Sequence, residues 1–184
     1  QAHDTHPQGS QSYGFFMANG KKGSCIRMNK VVVQKYGGAT LANAAKIKAA
    51  ALRIATLAKT GEKMIIVVSA MGKTTNQLIE LAQQVSTTPQ RREMDMLLTV
   101  GERISMSLVS MALNDLGAPA ISFTGSQAGI LTDEAHVSAF IIDVKAQRVS
   151  EALNDNKIVI LAGFQGVSPK TKEITTLGRG GSDT

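Results

Sequence analysis

Lys35 is followed at a spacing of two by Gly37 and Gly38. A fixed cation beside two residues without side chains suits a phosphoryl group in transfer, because glycine lets the backbone turn tightly and bring N–H groups close to an anion. The same Lys-x-Gly-Gly spacing also serves as ordinary strand-to-helix punctuation. A second group is Gly178-Arg-Gly-Gly-Ser-Asp183. Arg179 offers a planar fork for a carboxylate or phosphate, and Asp183 offers a carboxylate for an ammonium, so the pair suits the α-groups of an amino acid. An exposed surface loop would use the same two residues. Glu102, next to Gly101, is the third candidate. Ser69 and Thr75 read equally as a strand end and a helix N-cap, and are retained because they fall on the same edge as Lys35.

The elements that must position these residues follow from periodicity. Val31 to Val33, three β-branched residues, predict a strand covered on both faces, with Lys35 at its carboxyl end. Ala44, Ile47, Ala51, Ile54 and Ala58 recur at three and four and predict a helix ending at Gly61. Residues 64–69 predict a second buried strand, 70–76 a polar loop, and Leu78, Leu81, Ala82 and Val85 the apolar face of the next helix. This strand, loop, helix rhythm predicts a parallel sheet with right-handed crossovers.

A long helix is expected over 90–116, with Met94, Leu97, Leu98, Ile104, Leu108 and Met111 as its buried face. At 100° per residue Glu102 falls about 120° from the middle of that stripe, on its flank beside Ser105 and Met106. Gly101 costs such a helix about 1 kcal/mol relative to Ala, so close approach by a ligand or by another backbone is expected there. Strands are then expected at 119–124, 137–144 and 158–163, a small-residue loop at 125–129, and a helix at 145–156. His136 is a lone histidine with no second ligand at metal spacing and reads as structural.

The 184 residues are 43% apolar and 18% charged, enough for a globular chain with a buried core. The single cysteine, Cys25, allows no internal disulfide, and a reducing cytoplasm is expected. No uninterrupted apolar run of membrane length is apparent, so no membrane association is expected. Half of the net charge of +6 lies in residues 1–30, and two Tyr, five Phe and no Trp leave few stacking platforms; nucleic acid is not the expected partner. Residues 1–29, rich in Gly, Ser, Gln and Asn, read as a flexible N-terminal extension or an engineered remnant, and His3 and His6 as part of it rather than a metal pair.

From residue 30 to 184 the chain resembles the aspartate kinases of the amino acid kinase family. Six blocks carry the resemblance in the family's order: Lys35-Tyr-Gly-Gly38, Val67-Val-Ser-Ala-Met-Gly72, Gly101-Glu-Arg-Ile-Ser105, Thr124-Gly-Ser-Gln-Ala-Gly-Ile130, Ala162-Gly-Phe-Gln-Gly166 and Thr175-Thr-Leu-Gly-Arg-Gly-Gly-Ser-Asp183. The resemblance implies an α/β three-layer sandwich, a mostly parallel sheet covered by helices on both faces and incomplete at the C-terminus. It implies ATP and Mg²⁺ as cofactors and phosphorylation of the L-aspartate side chain to 4-phospho-L-aspartate, the first step towards lysine, threonine and methionine. Lys35 is similar to the family lysine at the phosphoryl group, and Gly37 and Gly38 to its glycine loop. Ser69 and Thr75 resemble hydroxyls lining the aspartate pocket, and Glu102 the carboxylate that helps hold the substrate ammonium. Arg179 resembles the residue that grips the α-carboxylate, with Ser182 and Asp183 closing the pocket. Residues 30–184 would then be the N-terminal, substrate-binding part of the kinase domain, and the full-length protein a homo-oligomer. Ala39-Thr40 departs from the family's Thr-Ser after the two glycines and removes one hydroxyl near the phosphates.

A second reading, from a different class, is a non-catalytic fragment that keeps only the aspartate pocket or an assembly role. From the family assignment itself the sheet is expected to end in an unpaired apolar edge, and a chain ending at Thr184 to be marginally soluble or self-associated and to bind ATP too weakly for turnover.

Overall fold

The computed structural model describes residues 30–178, and Arg179, Ser182 and Asp183 lie outside them. In chain order the elements are β1 (Val31–Tyr36), α1 (Ala44–Ala58), β2 (Lys63–Val68), α2 (Thr74–Val85), α3 (Arg91–Asp115), β3 (Ala120–Phe123), α4 (Gly125–Ala128), β4 (Ile130–Thr132), β5 (Ile141–Val144), α5 (Gln147–Asn154), β6 (Ile158–Ala162), β7 (Gln165–Val167) and β8 (Ile174–Thr176). Runs such as Met64-Ile-Ile-Val-Val68 and Ile158-Val-Ile-Leu-Ala162 are apolar at successive positions, so both faces of their strands can be buried. They form the centre of a parallel sheet in the order β1-β2-β6-β3.

Alternation along each strand divides this sheet between two cores. Met64, Ile66, Val68, Ile158, Ile160 and Ala162 pack against Ile47, Ala51 and Ile54 of α1 and Met106, Val109 and Leu113 of α3. Val159, with Ile65, Ile121 and Leu161, packs on the opposite face against Val149, Ala152 and Leu153 of α5. Helices therefore cover both faces over β6, the three-layer arrangement expected from the sequence. β1 departs from it: Val31 and Val33 are 46% and 62% exposed, so the strand expected to be covered on both faces is an edge strand covered on one.

Three further differences from the sequence reading have physical causes. A second sheet, β5-β4-β7-β8, was not expected, because β4, β7 and β8 are three residues long and the two hairpins are joined only by the distant pair Leu131–Val167. The strand expected over 137–144 shrinks to β5, because Asp133 accepts from Phe140 N–H and Asp95 from Val137 N–H, fixing the residues before it as a loop. The expected loop at 125–129 is α4, because Thr124 and Gln127 form a reciprocal capping box and Gly129 closes the turn at φ 79°.

The largest correction concerns α3. Its buried face carries Asp95, Leu98, Thr99, Gly101, Glu102, Ser105, Met106, Val109, Ser110 and Leu113. Ile104, Leu108 and Met111, expected in the core, are 44%, 38% and 60% exposed. Glu102 and Ser105 bond to the loop after β2 and Asp95 to residues 136–137 and β8, while the Thr99 hydroxyl bonds to the Met96 carbonyl of its own helix, and those bonds offset their desolvation. On α2 Leu81 and Val85 are 50% and 82% exposed, and no residue of that helix is fully buried.

Candidate functional site

In an open parallel sheet ligands bind beyond the carboxyl ends of the strands. Here that edge is formed by Lys35 and Tyr36 of β1, Val68 and Ser69 after β2, and Ala162 and Gly163 after β6. Lys35 pairs with Val67 and Tyr36 with Val68, so the first two strands end level. Ser69 N–H donates to the Tyr36 carbonyl at 3.1 Å and Gly163 N–H to the Val68 carbonyl at 3.0 Å, which extends the alignment one residue past the strands.

Gly37 and Gly38 leave β1 on this edge and play different parts. A Cβ at Gly38 would stand 2.6 Å from the Ala70 carbonyl oxygen and 3.0 Å from that of Gly72, and Gly72 N–H donates to the Gly38 carbonyl at 2.9 Å. Gly38 is thus required for contact between the loops after β1 and β2. At Gly37, chain neighbours aside, the only atom among the described residues that a Cβ would meet within 4 Å is Lys35 Nζ, at 4.0 Å. That position stays open beside an ammonium, a cradle a phosphate fits. The structure therefore brings Lys35, Gly37 and Gly38 together as the sequence predicts.

α3 supplies the carboxylate. A Cβ on Gly101 would lie 2.8 Å from Ala70 Cβ, so the missing side chain lets the helix press against the loop after β2. One turn on, Ser105 Oγ donates to the Ser69 carbonyl at 2.8 Å. Between them Glu102, only 3% exposed, accepts through Oε1 from Ala70 N–H at 3.1 Å. Its Oε2 is buried and has no hydrogen-bond partner among the described residues. Desolvation raises the Glu102 pKa to about 7, and the bond from Ala70 N–H opposes the rise. A buried carboxylate with one oxygen held and the other unmatched is prepared for a cationic donor. Ser69 is half-buried at the β2 end, and Thr75 half-buried in the first turn of α2. The N-cap of α2 is Lys73, so Thr75 lies inside the helix rather than capping it.

Arg179, Ser182 and Asp183 lie outside the described residues, but the chain leading to them is held firmly. Leu177 N–H donates to the Phe164 carbonyl at 2.9 Å, and Thr176 Oγ1 donates to Asp95 Oδ1 at 2.6 Å. Asp95 is fully buried in α3 and also accepts from Val137 N–H at 3.0 Å and pairs with His136 Nδ1 at 2.6 Å. His136 thus has a partner that links three segments. Sequence reasoning missed Asp95, and its position inside a stretch read as apolar, Met94 to Leu98, was the available signal. Phe164 adopts φ 67°, a conformation uncommon for a bulky residue, just where the chain turns from β6 into β7. Gly125 and Gly166 serve the packing of the second sheet, since a Cβ at Gly125 would overlap the Gln165 carbonyl and one at Gly166 the Thr132 side chain.

Among the described residues no group of three His, Cys, Asp or Glu side chains could hold a metal ion. The edge offers one ammonium and one buried carboxylate, a set that fits an anionic phosphate and a substrate cation but not a divalent metal held by the described residues.

Comparison with known proteins gives three findings. Residues 30–184 match the amino acid kinase family model. Over 154 residues the chain is 58% identical to the aspartokinase of Corynebacterium glutamicum and 57% to that of Mycobacterium tuberculosis, matches that cover 84% of this chain and 37% of each relative. The chain thus spans a little over a third of the length of these relatives. Among solved structures, the aspartate kinase from Synechocystis superposes with a TM-score of 0.71 at 46% identity, covering 84% of this chain and 25% of that one. Escherichia coli aspartokinase III in complex with aspartate and ADP, at 23% identity, gives 0.71 over 84% of this chain and 44% of that one, a likeness of fold.

Proposed function

The chain belongs to the amino acid kinase family, and from that premise we propose that it is the N-terminal, substrate-binding part of an aspartate kinase. The reaction is transfer of the γ-phosphoryl group of ATP to the side-chain carboxylate of L-aspartate: the bond to the ADP oxygen breaks, a bond to a carboxylate oxygen forms, and 4-phospho-L-aspartate results. One observation in the geometry carries this reading: the buried Glu102, with Oε2 unmatched, on the same strand edge as Lys35 and the glycine loop.

Each residue has a role in this proposal. The acceptor carboxylate is ionised at neutral pH, so no general base is required and the barrier falls through positioning and charge neutralisation. Lys35 faces the equatorial oxygens of the transferred group, while Gly37 leaves room for it. Glu102 holds the substrate ammonium through Oε2, and Ser69 and Thr75 line the pocket. Arg179 grips the α-carboxylate, and Ser182 and Asp183 close the pocket from the other side. Mg²⁺ would neutralise phosphate charge when bound with ATP. The proposed reaction draws on ATP and a free amino acid, which supports a cytoplasmic location.

The test uses the protein as its gene encodes it. ADP release should depend on L-aspartate and not on L-glutamate, and hydroxylamine should trap the acyl phosphate as the aspartyl hydroxamate. Lys35→Met should cut kcat by roughly 10²- to 10³-fold with a much smaller change in the aspartate KM. ADP release that ignores aspartate would overturn the substrate, and an unchanged kcat in the variant would remove Lys35 from the mechanism.

A further inference from the structure

We propose that His136 and Val137 are positioning residues for the aspartate site: with Asp95 they clamp the loop between β4 and β5 against residues 176–178, and so fix where the chain enters Arg179. The inference rests on the role proposed above for Arg179, and it gives the clamp itself no contact with substrate. Its starting point is the backbone of Val137, which stands at φ 70°. Glycine visits that left-handed region freely, whereas a β-branched residue stays there only where its surroundings over-determine it.

Two carboxylates supply those surroundings. From outside, Asp133 Oδ1 accepts from Ala135 N–H at 3.2 Å and from Phe140 N–H at 3.1 Å, and Asp133 N–H donates to the Phe140 carbonyl at 3.0 Å, which closes the loop on itself. From inside, Asp95 accepts the Val137 N–H at 3.0 Å on Oδ1 and 3.3 Å on Oδ2. Asp95 is fully buried in α3, a helix long and apolar enough to cross a membrane by length and composition but with half of that stretch packed inside the protein. A carboxylate in such surroundings is retained only when its oxygens are matched. The Thr176 hydroxyl and His136 Nδ1, each at 2.6 Å, complete the match. Because a carboxylate oxygen accepts, Nδ1 is the ring nitrogen that carries a proton here.

The strained loop touches the segment that leads to Arg179. Ala139 N–H donates to the Thr176 carbonyl at 2.9 Å, so Thr176 is held on its carbonyl by the loop and on its hydroxyl by the same carboxylate that holds Val137. Gly178, the last described residue before Arg179, lies against the loop at φ 80°. A Cβ on it would stand 3.5 Å from the Val137 carbonyl oxygen and 3.7 Å from Ser138 Cα. Rotation of Val137 to the extended region would swing that carbonyl and Ser138 away from Gly178 and draw Ala139 from Thr176. The remaining ties of the loop, Arg91 to Ser138 and Lys170 to Glu134, are exposed and hold it weakly. The bond from His136 to Asp95 therefore helps decide whether Val137 stays strained and Gly178 stays in place.

The experiment takes the protein as its gene encodes it and reads the KM for aspartate and for ATP, kcat at saturating aspartate, and circular dichroism. His136→Leu removes the donor, whereas His136→Asn keeps an N–H near the place of Nδ1. His136→Leu should raise the aspartate KM about fivefold or more, with the ATP KM and kcat within about twofold of the parent, and His136→Asn should stay within about twofold throughout. His136→Gln, whose amide falls near the place of Nε2 instead, should show the same split as His136→Leu and serves if that variant does not fold. Val137→Gly tests the strain itself. Glycine has no drive to leave φ 70°, so added to His136→Leu it should lower the aspartate KM by about threefold, where a second purely structural defect would raise it. Arg179→Lys separates this inference from the reading beneath it: an aspartate KM unchanged in that variant removes Arg179 from the site and the clamp with it. Where Arg179→Lys does raise the aspartate KM, three results would overturn the clamp alone: an aspartate KM in His136→Leu that stays put or rises no more than that for ATP, His136→Asn as impaired as His136→Leu, or Val137→Gly deepening the defect.

Discussion

At the residue scale the site turns on how Glu102 is ionised. Burial raises its pKa from 4.5 to about 7, so near neutrality roughly half of the free protein carries it protonated. An ammonium placed at Oε2 favours the carboxylate, so aspartate binding should release a proton, and the aspartate KM should rise about tenfold per pH unit below 7. Glu102→Gln should flatten that profile while weakening aspartate binding and leaving the KM for ATP almost unchanged. A pH profile of KM for both substrates checks this, and a slope that survives in the variant assigns the titration elsewhere. The stability of the unliganded protein carries the opposite sign from the usual carboxylate case. The folded pKa lies above the unfolded one, so stability present below pH 4.5 is lost as pH rises to 7 and is constant beyond, by about 3 kcal/mol in all.

Elements place that carboxylate, and the decisive contact is between α3 and the loop after β2. Gly101→Ala would gain about 1 kcal/mol of helix propensity in isolation. The added methyl would stand 2.8 Å from Ala70 Cβ, which is fixed to the backbone, so helix and loop must part by several tenths of an ångström. Overpacking of this kind costs about 1 to 3 kcal/mol and outweighs the propensity gain. The variant should therefore melt below the parent protein. Because Ala70 N–H is the partner of Glu102 Oε1, the same displacement should also raise the aspartate KM. A variant more stable than the parent, with unchanged KM, would show that the loop yields without cost.

The sequence was legible at this scale where burial and hydrophobicity coincide. The bounds of α1 and α3 and the parallel centre β2-β6 follow from apolar periodicity, and the edge bearing Lys35, Gly37 and Gly38 follows from strand-turn-helix order. The face of α3 was not legible, because Asp95, Glu102 and Ser105 are buried through specific hydrogen bonds to other segments, and a hydropathy period reads such residues as solvent-facing. The same reasoning missed the short strands of the second sheet: Gln165-Gly-Val167 pairs with Ile174-Thr-Thr176 and Leu131, and three residues carry no period of their own.

At the scale of the whole molecule α3 joins the two sheets. Its C-terminal half packs on the parallel sheet through Met106, Val109 and Leu113, and its N-terminal half holds the second sheet through polar contacts: Asp95 with Thr176, His136 and Val137, Thr99 with Gln165, and Arg92 with Glu173. The Arg92–Glu173 pair is solvent-exposed and contributes little, so the buried Asp95 dominates. Asp95→Asn keeps the shape but removes the charge and replaces one acceptor oxygen by a donor, so the Thr176 hydroxyl must rotate or the His136 ring change tautomer, and every remaining bond loses its charged acceptor. Hydrogen bonds to a charged acceptor contribute about 1.5 to 3 kcal/mol each, so the variant should lose roughly 2 to 4 kcal/mol of stability in denaturant titration. Thr176 stands three residues before Arg179, so the functional consequence should be selective. The aspartate KM should rise severalfold more than the ATP KM, whose proposed contacts leave from β1, and kcat measured at saturating aspartate should change little. Thr176→Val removes the donor while leaving the carboxylate its other partners, and should reproduce the KM effect with a smaller loss of stability. If instead both KM values and kcat fall together in the two variants, Asp95 supports the fold as a whole and the second sheet does not position the arginine loop independently of the first.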